Sequence, residues 1–220
     1  MILVIFGPPG AGKGTQSRLI ADELKILHIS TGDILRSALK RQTEFGKKAI
    51  SYVEAGELVP DELIYGMIFE RIKGPDASAG FILDGYPRNI DQAKELDRML
   101  GAISRKIDLV VNIVLSDEEI IGRLAGRRVC DLCGRVTHVE YDPQIDSDVC
   151  DICGGELKAR VDDTPDAIKN RLKVYYGQTL PVLEYYRVKG IVKDVNGRGE
   201  KNNIFSEIVG LIQENDSRTF

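Results

Sequence analysis

A glycine-rich loop directly behind a short apolar run is the feature that most constrains this chain. Residues Ile2–Phe6 read ILVIF and lead without a break into GPPGAGKGT at Gly7–Thr15. In a strand–loop–helix unit, successive backbone N–H groups of such a loop converge on an anion, helped by the positive end of the following helix. Lys13 adds a mobile charge that can reach a transferred phosphoryl group. The alternative is a glycine-rich turn with an incidental lysine. The predicted phosphate ligands are Gly10, Ala11, Gly12, Lys13, Gly14 and Thr15.

The residue after the lysine indicates which class of phosphate chemistry is present. Many molecular-switch NTPases hold Mg²⁺ through a hydroxyl directly after the lysine. Here that position is Gly14, and a hydroxyl follows only at Thr15. Asp84, at the end of the apolar run Phe81–Leu83, can hold the metal instead, through water. The alternative is that Asp84 is only a polar residue at the end of a strand.

The apolar pattern along the chain predicts the fold class. Short Val/Ile/Leu runs alternate with longer amphipathic stretches, which is typical of parallel strands buried on both faces by helices. Helix starts are marked by a capping box at Ser116 and by Thr164 before a proline. We therefore expect an α/β protein with a doubly wound, parallel, five-stranded sheet. The predicted strands are Ile2–Phe6, Ile26–Ile29, Phe81–Leu83, Leu109–Leu115 and Ile191–Val195.

Two segments interrupt this alternation. The first, Ser30 to Val59, is helical and polar, and it is too long for a plain connection. The second, Gly126 to Asp163, lacks a long helical period and contains cysteines, glycines and short alternating runs such as Val136–Tyr141. We interpret both segments as insertions at the edge of the core.

The second insertion contains a candidate metal site. Its four cysteines have the spacing Cys130-x2-Cys133-x16-Cys150-x2-Cys153, which is that of a tetrahedral zinc ribbon. Four thiolates fill the coordination of zinc and leave no position for a reacting water, so we predict a structural site. Two local disulfides are the alternative.

Bulk properties exclude several classes of protein. The net charge of −4 and the pI near 5.4 disfavour a general nucleic-acid binder, which needs a basic face. The apolar run at the N-terminus is five residues long, and no segment approaches the ~20 apolar residues that span a bilayer. Cysteines confined to one cluster favour a metal site in a reducing compartment. We expect a cytoplasmic protein with no nucleic-acid or membrane partner.

Seven motifs together make the chain similar to the adenylate kinase family over essentially its whole length. They are GPPGAGKGTQ (Gly7–Gln16), STGDILR (Ser30–Arg36), GELVPDE (Gly56–Glu62), FILDGYPRNIDQA (Phe81–Ala93), GRRVC (Gly126–Cys130), RVDD (Arg160–Asp163) and QTLPVLEYY (Gln178–Tyr186). The resemblance implies the reaction MgATP + AMP ⇌ MgADP + ADP and a monomeric enzyme whose partners are ATP, AMP and ADP. It also implies three units: a P-loop core (1–29, 60–125 and 164–220), an AMP-binding domain (30–59) and a lid (126–163). Lids with four cysteines are the zinc-bearing variety of the family.

The same resemblance assigns residues to two nucleotides. The AMP side would be Thr31, Arg36, Glu57, Leu58, Val59, Gly85, Tyr86, Pro87, Arg88, Gln92, Arg160 and Arg171. The ATP side would be the phosphate loop together with Arg123, Arg127, Val136, Thr137 and Gly199. The catalytic set would be Lys13, Asp84, Arg88, Arg127, Arg160 and Arg171, with Mg²⁺ carried by ATP. Physically, Arg36 and Arg88 can grip a phosphate bidentately, and the Gln92 amide can both donate to and accept from an adenine edge.

Two rival functions remain at this stage. A zinc ribbon on a P-loop protein can be a nucleic-acid-reading module, although acidic residues opposed only by Arg135 disfavour this. Those acids are Asp131, Glu140, Asp142, Asp146, Asp148, Asp151 and Glu156. A slow P-loop hydrolase of the switch type is the other rival, and Gly14 disfavours it. His28 and His138 are expected to be structural, because the acceptor phosphate is already ionised and no general base is required.

Overall fold

The computed structural model describes residues 1–140, 142 and 148–217. Its strands are β1 (Ile2–Phe6), β2 (Leu27–Ser30), β3 (Phe81–Asp84), β4 (Leu109–Val114), β5 (Arg127–Cys130), β6 (Val136–His138), β7 (Leu157–Lys158) and β8 (Val192–Asn196). Its helices are α1 (Lys13–Leu24), α2 (Thr31–Lys40), α3 (Glu44–Ala55), α4 (Asp61–Ile72), α5 (Ile90–Ala102), α6 (Asp117–Ala125), α7 (Pro165–Val174), α8 (Leu180–Arg187) and α9 (Lys201–Ser217).

The core is a parallel five-stranded sheet in the order β2-β3-β1-β4-β8. All five strands are those predicted from the apolar runs, and the differences lie at their ends. β2 and β3 run on to Ser30 and Asp84, because these two residues still pair with each other across the sheet. β4 ends at Val114, shortly before Ser116 caps α6 by accepting from Glu119 N.

Helices cover both faces of this sheet, which explains why the strands are continuously apolar. Alternate residues of β1 enter different cores. Ile2, Val4 and Phe6 pack with α4, α5 and α8 on one face. Leu3 and Ile5 pack with α1 and α9 on the other. The doubly wound α/β prediction is therefore confirmed.

The first predicted insertion contains α2 and α3. The helix α2 is capped by the Ser30 hydroxyl, which accepts from Asp33 N, and α3 is capped by Thr43, which accepts from Gly46 N at 3.0 Å. Leu35 and Ala49 bury their side chains in the core on one face of the main sheet. The insertion is thus two short capped helices anchored to the body of the protein.

The second predicted insertion contains a small antiparallel sheet in the order β6-β5-β7. Tyr141 and residues 143–147, which include Asp146, lie outside the described residues, as do residues 218–220 at the end of the predicted core unit. Behind this sheet the chain returns through a short 3-10 turn, Val161–Asp163, to α7, which Thr164 caps.

A π-helical turn, Tyr175–Thr179, joins α7 to α8. Pro181 lies two residues beyond it and lacks the N–H that would bond the Gly177 carbonyl in a regular α-helix. The widened turn brings Thr179 beneath the sheet edge, where its hydroxyl donates to the Arg88 carbonyl at 2.8 Å.

Candidate active site

The candidate site lies at the carboxyl edge of the main sheet. Register pairs Ile5 with Asp84 and Phe6 with Asn112, so β1, β3 and β4 end side by side. The glycine loop leaves this edge after β1, and the segment Gly85–Arg88 leaves it after β3. Carboxyl ends of parallel strands are where open α/β sheets bind ligands.

The glycine loop has the conformation that a phosphate cradle requires. Gly7, Gly10 and Gly12 all have positive φ (142°, 83° and 90°), which side chains rarely adopt. A Cβ on Gly7 would lie 2.7 Å from the Ile113 carbonyl oxygen, so close contact with β4 also requires glycine there. Lys13 Nζ donates to the carbonyls of Gly7 and Pro8 at 2.8 and 2.7 Å, which folds the lysine back over the loop.

Cationic side chains surround Lys13 and change its pKa. Burial, with the charges of Arg88, Arg171 and Arg127, lowers the pKa of Lys13 to about 7, although Asp84 acts in the opposite direction. The positive charges around the Lys13 ammonium therefore outnumber the negative ones. A phosphate group in the loop would supply that charge.

Asp84 lies where the sequence predicted a metal-binding acid. A Cβ on Gly14 would lie 3.3 Å from Asp84 Oδ2, so the carboxylate stands directly beside the loop position that lacks a hydroxyl. Burial alone would raise the pKa of Asp84, but His28 and Lys13 more than offset this and lower it. His28 Nε2 is 3.6 Å from Asp84 Oδ2, which is an ion-pair distance rather than a hydrogen bond. An ionised oxygen ligand of this kind suits Mg²⁺.

A cleft of about 690 Å³ opens between the first insertion and the sheet edge. Among its lining residues are Thr31, Arg36, Val59, Arg88, Gln92 and Arg171. Glu57, Leu58, Gly85 and Tyr86 also line this cleft, so most of the residues assigned to AMP by resemblance lie together. Pro87 instead lines a second cleft, described below.

Close packing arranges the cationic end of this cleft. Gly85 has φ 78°, and a Cβ there would lie 2.8 Å from Thr31 Oγ1 and 3.0 Å from an Arg88 nitrogen. The Gly85 carbonyl in turn accepts from Thr31 Oγ1 at 2.7 Å and from Arg88 Nε at 2.8 Å. Arg36 is held by Asp33, which accepts from it at 2.6 Å. The guanidinium groups are thus oriented by the protein itself.

A second cleft of about 550 Å³ is lined by the glycine loop and by the π-helical turn. Lys13, Pro87, Tyr175 and Thr179 belong to its wall. Arg88 and Arg171 line both clefts, so the two spaces meet at this pair of arginines.

The arginines of the site form a partly buried cluster of like charge. Burial and the neighbouring Arg171 lower the pKa of Arg88 to about 10. Burial, Arg36 and Arg127 lower the pKa of Arg160 to about 9, and its Nε has no hydrogen-bond partner among the described residues. The pKa of Arg171 is also lowered, chiefly by burial. Like charges are held together here at a cost that bound anions would relieve.

Two acidic residues hold this cluster, and no pattern in the sequence indicated their role. Asp163 accepts two hydrogen bonds from Arg127, at 2.7 and 2.5 Å, and one from Arg171 at 2.8 Å. Asp162 lies 3.2 Å from Arg171. The motif RVDD contained both residues, but only the fold shows that Asp163 faces arginines 36 and 8 residues away.

The other residues predicted for the ATP side, with Gly199 at the adenine, are less completely assembled. Arg123 donates to the Gly197 carbonyl at 2.9 Å, which ties α6 to the loop that contains Gly199. Thr137 is buried within the second insertion, where its hydroxyl donates to Asp142 at 2.8 Å, and Val136 lies beside it in β6. The side chain of Thr137 is therefore engaged locally.

The four cysteines converge at the far end of the second insertion. Their sulfur atoms all lie within 4.8 Å of one another, with 3.4 Å between Cys130 and Cys153 and 3.7 Å between Cys133 and Cys150. All four are free thiols, since disulfide sulfurs would be about 2.05 Å apart. Sulfur atoms around tetrahedral zinc are about 3.8 Å apart, so the donor set fits this metal.

Backbone geometry supports the same interpretation, because the two halves of the cluster are built alike. Gly134 N donates to the Cys130 carbonyl and Gly154 N to the Cys150 carbonyl, at 3.0 and 2.8 Å. The two turns present pairs of sulfurs from opposite sides. They resemble the paired knuckles of a zinc ribbon rather than disulfide-linked loops.

Comparison with known proteins gives a consistent result. The family model described as adenylate kinase matches residues 5–191. The chain is 50% identical to the adenylate kinase of Methanothrix thermoacetophila over 97% of this chain and 99% of the relative. It is 49% identical to that of Carboxydothermus hydrogenoformans (97% and 100%) and 46% identical to that of Archaeoglobus fulgidus (97% and 99%). Within the described residues, none of the helices combines the length and apolarity needed to cross a membrane.

Proposed function

The chain belongs to the adenylate kinase family, and we propose that its two clefts bind ATP and AMP on either side of Arg88 and Arg171. The protein is a phosphotransferase that converts ATP and AMP into two molecules of ADP. The observation that carries the assignment of sites is that these two arginines line both clefts. One cleft contains the phosphate loop and the other contains Arg36 and Gln92.

The proposed mechanism depends on positioning and charge. The bond between the γ-phosphorus and the bridging oxygen of ATP breaks while a bond forms to a phosphate oxygen of AMP. Both reactants are anions, so Lys13, Arg88 and Arg171 must offset their repulsion and hold them in line. Arg127 and Arg160 add charge from the second insertion. The accepting oxygen is already ionised, which removes the need for a general base.

The family uses Mg²⁺ with ATP, and we propose that Asp84 holds it here. The ion supplies positive charge to the phosphate oxygens during transfer. The buried carboxylate beside Gly14 is supporting evidence, since it occupies the place next to the missing hydroxyl. Asp84 would act through ordered water, as an anchor for the ion.

We propose structural zinc for the cysteine cluster. The second insertion has a small core of its own, a cluster of Cys130, Cys150 and Leu157, so a metal staple is needed to hold its shape. Four thiolates leave no open coordination position, which excludes a direct part in phosphoryl transfer.

The three-unit division is also our proposal: a core (1–29, 60–125 and 164–220), an AMP-binding domain (30–59) and a lid (126–163). We also propose that the enzyme is monomeric. Free clustered thiols support a cytoplasmic location.

A coupled assay with ATP and each of AMP, GMP, CMP and UMP tests the proposed sites. ADP formation should require AMP, and CMP and UMP should have kcat/KM values lower by about 100-fold or more. Equal use of UMP or CMP would overturn the assignment of an adenine-shaped acceptor cleft. ATP turnover at the same rate without any monophosphate would indicate a hydrolase.

A conservative substitution tests the shared arginine. Arg88→Lys keeps the charge but loses the planar, bidentate grip, so kcat should fall by about 10-fold or more. Arg98→Lys is the matched control, because Arg98 is an exposed residue of α5 that pairs with Glu95. Similar kinetics for the two variants would remove Arg88 from the proposed mechanism.

A further inference from the structure

The orientation of the Gln92 amide is fixed by two neighbours. Its Nε2 donates to Asp61 Oδ1 at 2.6 Å, and its Oε1 accepts from Arg88 N at 2.7 Å. A carboxylate only accepts and a backbone N–H only donates, so only one of the two amide orientations satisfies both contacts. Gln92 is 2% exposed, and it lines the cleft assigned to AMP.

Asp61 is itself held firmly. The Asn89 amide donates to its two oxygens at 3.2 and 3.1 Å, and the Tyr65 hydroxyl donates to Oδ2 at 3.3 Å. Asn89 also caps α5 by accepting from Gln92 N at 2.8 Å. The carboxylate therefore connects the start of α4 to the start of α5, with Gln92 between them.

The Oε1 and Nε2 atoms of Gln92 each retain one free hydrogen-bonding position. Because the amide orientation is fixed, it is also fixed which of these positions accepts and which donates. Oε1 has a second lone pair and Nε2 has a second hydrogen. Adenine carries a donor at its 6-position, whereas guanine and hypoxanthine carry an acceptor there, on whichever purine edge faces the side chain. An amide held in one orientation distinguishes adenine from guanine and hypoxanthine, because a 6-oxo purine would leave buried polar groups unpaired.

We propose that Asp61 is a positioning residue that makes the acceptor cleft select 6-amino over 6-oxo purine monophosphates. It does so by holding the Gln92 amide in the order that matches adenine. Asp61 does not belong to the lining of the cleft and acts only through Gln92. This inference rests on the proposed function of the cleft as the AMP site.

The test compares AMP with inosine monophosphate, which differs in having a 6-oxo group and a proton on N1. In Asp61→Asn, the substituted amide can donate as well as accept, so only the Arg88 N–H still favours the original orientation of the Gln92 amide. We expect the ratio of kcat/KM for AMP to that for inosine monophosphate to fall by about 10-fold. The KM for ATP should be unchanged. The matched control is Glu62→Gln, which removes an equal charge from the same first turn of α4 at an exposed position and should leave the ratio at the wild-type value.

Gln92→Ala separates the two ways in which the proposal can fail. If Gln92 reads the base, this variant lowers the ratio whatever Asp61 does. A lowered ratio in Gln92→Ala with a wild-type ratio in Asp61→Asn would overturn the role of Asp61 alone. A wild-type ratio in both variants would overturn the proposed base contact as well. Equal losses of kcat/KM for both substrates in Asp61→Asn would mean that Asp61 only stabilises the fold.

Discussion

The two insertions at the sheet edge solve the same structural problem by different means. The helices α2 and α3 bury Leu35 and Ala49 in the main core and are capped by side-chain hydroxyls. The segment around the cysteines has its own small core, and Leu132 and Ile152 at its tips are 69% and 70% exposed. The first insertion packs against the body of the protein, whereas the second contains a cluster of four cysteines that can bind a cross-linking metal.

The difference follows from what each segment can bury. A pair of amphipathic helices presents one apolar face that a neighbouring sheet can cover. A short antiparallel sheet of three strands, the last of two residues, has too little area to hold its shape by burial alone. We expect the first insertion to respond to changes in caps and packing, and the second to respond to loss of metal.

The largest effect should come from a residue that belongs to neither insertion. Lys13→Met removes a charge aimed at the moving phosphoryl group, which costs about 3 kcal/mol of barrier and about 100-fold or more in kcat. The fold should be retained, as measured by circular dichroism. Activity within about threefold of wild type would mean that the chemistry depends on the insertions and not on the glycine loop.

Titration of the same lysine gives a second test. The pKa of Lys13 is about 7 in the free protein, and bound phosphates should raise it. A group that is more protonated in the complex takes up a proton on binding, so ATP affinity should decrease as pH rises above about 7. Calorimetry at pH 8.5 in two buffers of different ionisation enthalpy should detect uptake approaching one proton.

Lys13→Arg is the control for this titration, because arginine stays charged throughout this range. It should bind ATP with no such uptake. The other charged groups that face Lys13 are Asp84, Arg88, Arg127 and Arg171. Equal uptake in Lys13→Arg would assign the proton to one of them or to the nucleotide.

Metal removal should distinguish the two insertions most directly. Cys130→Ser, or chelation of the wild-type metal, should lower the Tm by about 10 °C, corresponding to ~3 kcal/mol. Initial activity at low temperature should fall much less. Elemental analysis should find one equivalent of metal in the wild type. Leu132→Ser, an exposed position between two of the ligands, is the matched control and should keep the metal.

Immediate loss of turnover without any change in Tm would contradict this prediction. In that case the metal would be catalytic. The contrast between a first insertion stabilised by packing and a second insertion stabilised by metal would then not hold.

The first insertion should show the reverse sensitivity. Thr43→Ala removes the cap of α3, which costs about 1 kcal/mol and 2–4 °C in Tm for a chain of this size. The loss should be the same with and without chelator, because the Thr43 cap lies within the first insertion and the cysteine cluster within the second. A chelator-dependent loss would show that the two insertions are stabilised together.

Much of this molecule could be predicted from local patterns. Strands buried on both faces are continuously apolar, so all five could be identified from runs such as Ile2–Phe6. The glycine loop and the cysteine spacing are also local. The strand order could not be predicted from local patterns, because apolar runs do not indicate which strands pair. The predicted site residues themselves still await the variants described above.

Polar contacts between residues far apart in the chain could not be predicted from the sequence. Asp163 and Arg127 are 36 residues apart, and Asp61 and Gln92 are 31 apart. Neither pair has a periodicity or spacing that predicts it, because each depends on where two separate elements meet.

The smallest predicted effect concerns the contact between the two insertions. Lys40 at the end of α2 donates to the Asp131 carbonyl, next to Cys130, at 2.6 Å. An exposed hydrogen bond of this kind contributes about 0.5 kcal/mol, so Lys40→Met should reduce the population in which the insertions touch by about twofold. Fluorophores on the second insertion and on the core report this population as a distance.

In the wild type, an inhibitor that links two adenosines through phosphates should shorten this distance, because Arg127 and Arg160 move with the second insertion toward the phosphates. Such closure is an established form of gating in kinases of this family and excludes water, which otherwise competes for the phosphoryl group. We place the hinges near Gly126 and near 162–164.

Lys40→Met should lengthen the mean distance without inhibitor and leave the inhibited distance unchanged. Lys47→Met, an exposed lysine of α3 that pairs with Glu44 in its own helix, is the matched control. An inhibitor-independent distance in an active wild-type enzyme would refute the moving lid, and equal behaviour of the two variants would show that Lys40 does not join the insertions in solution.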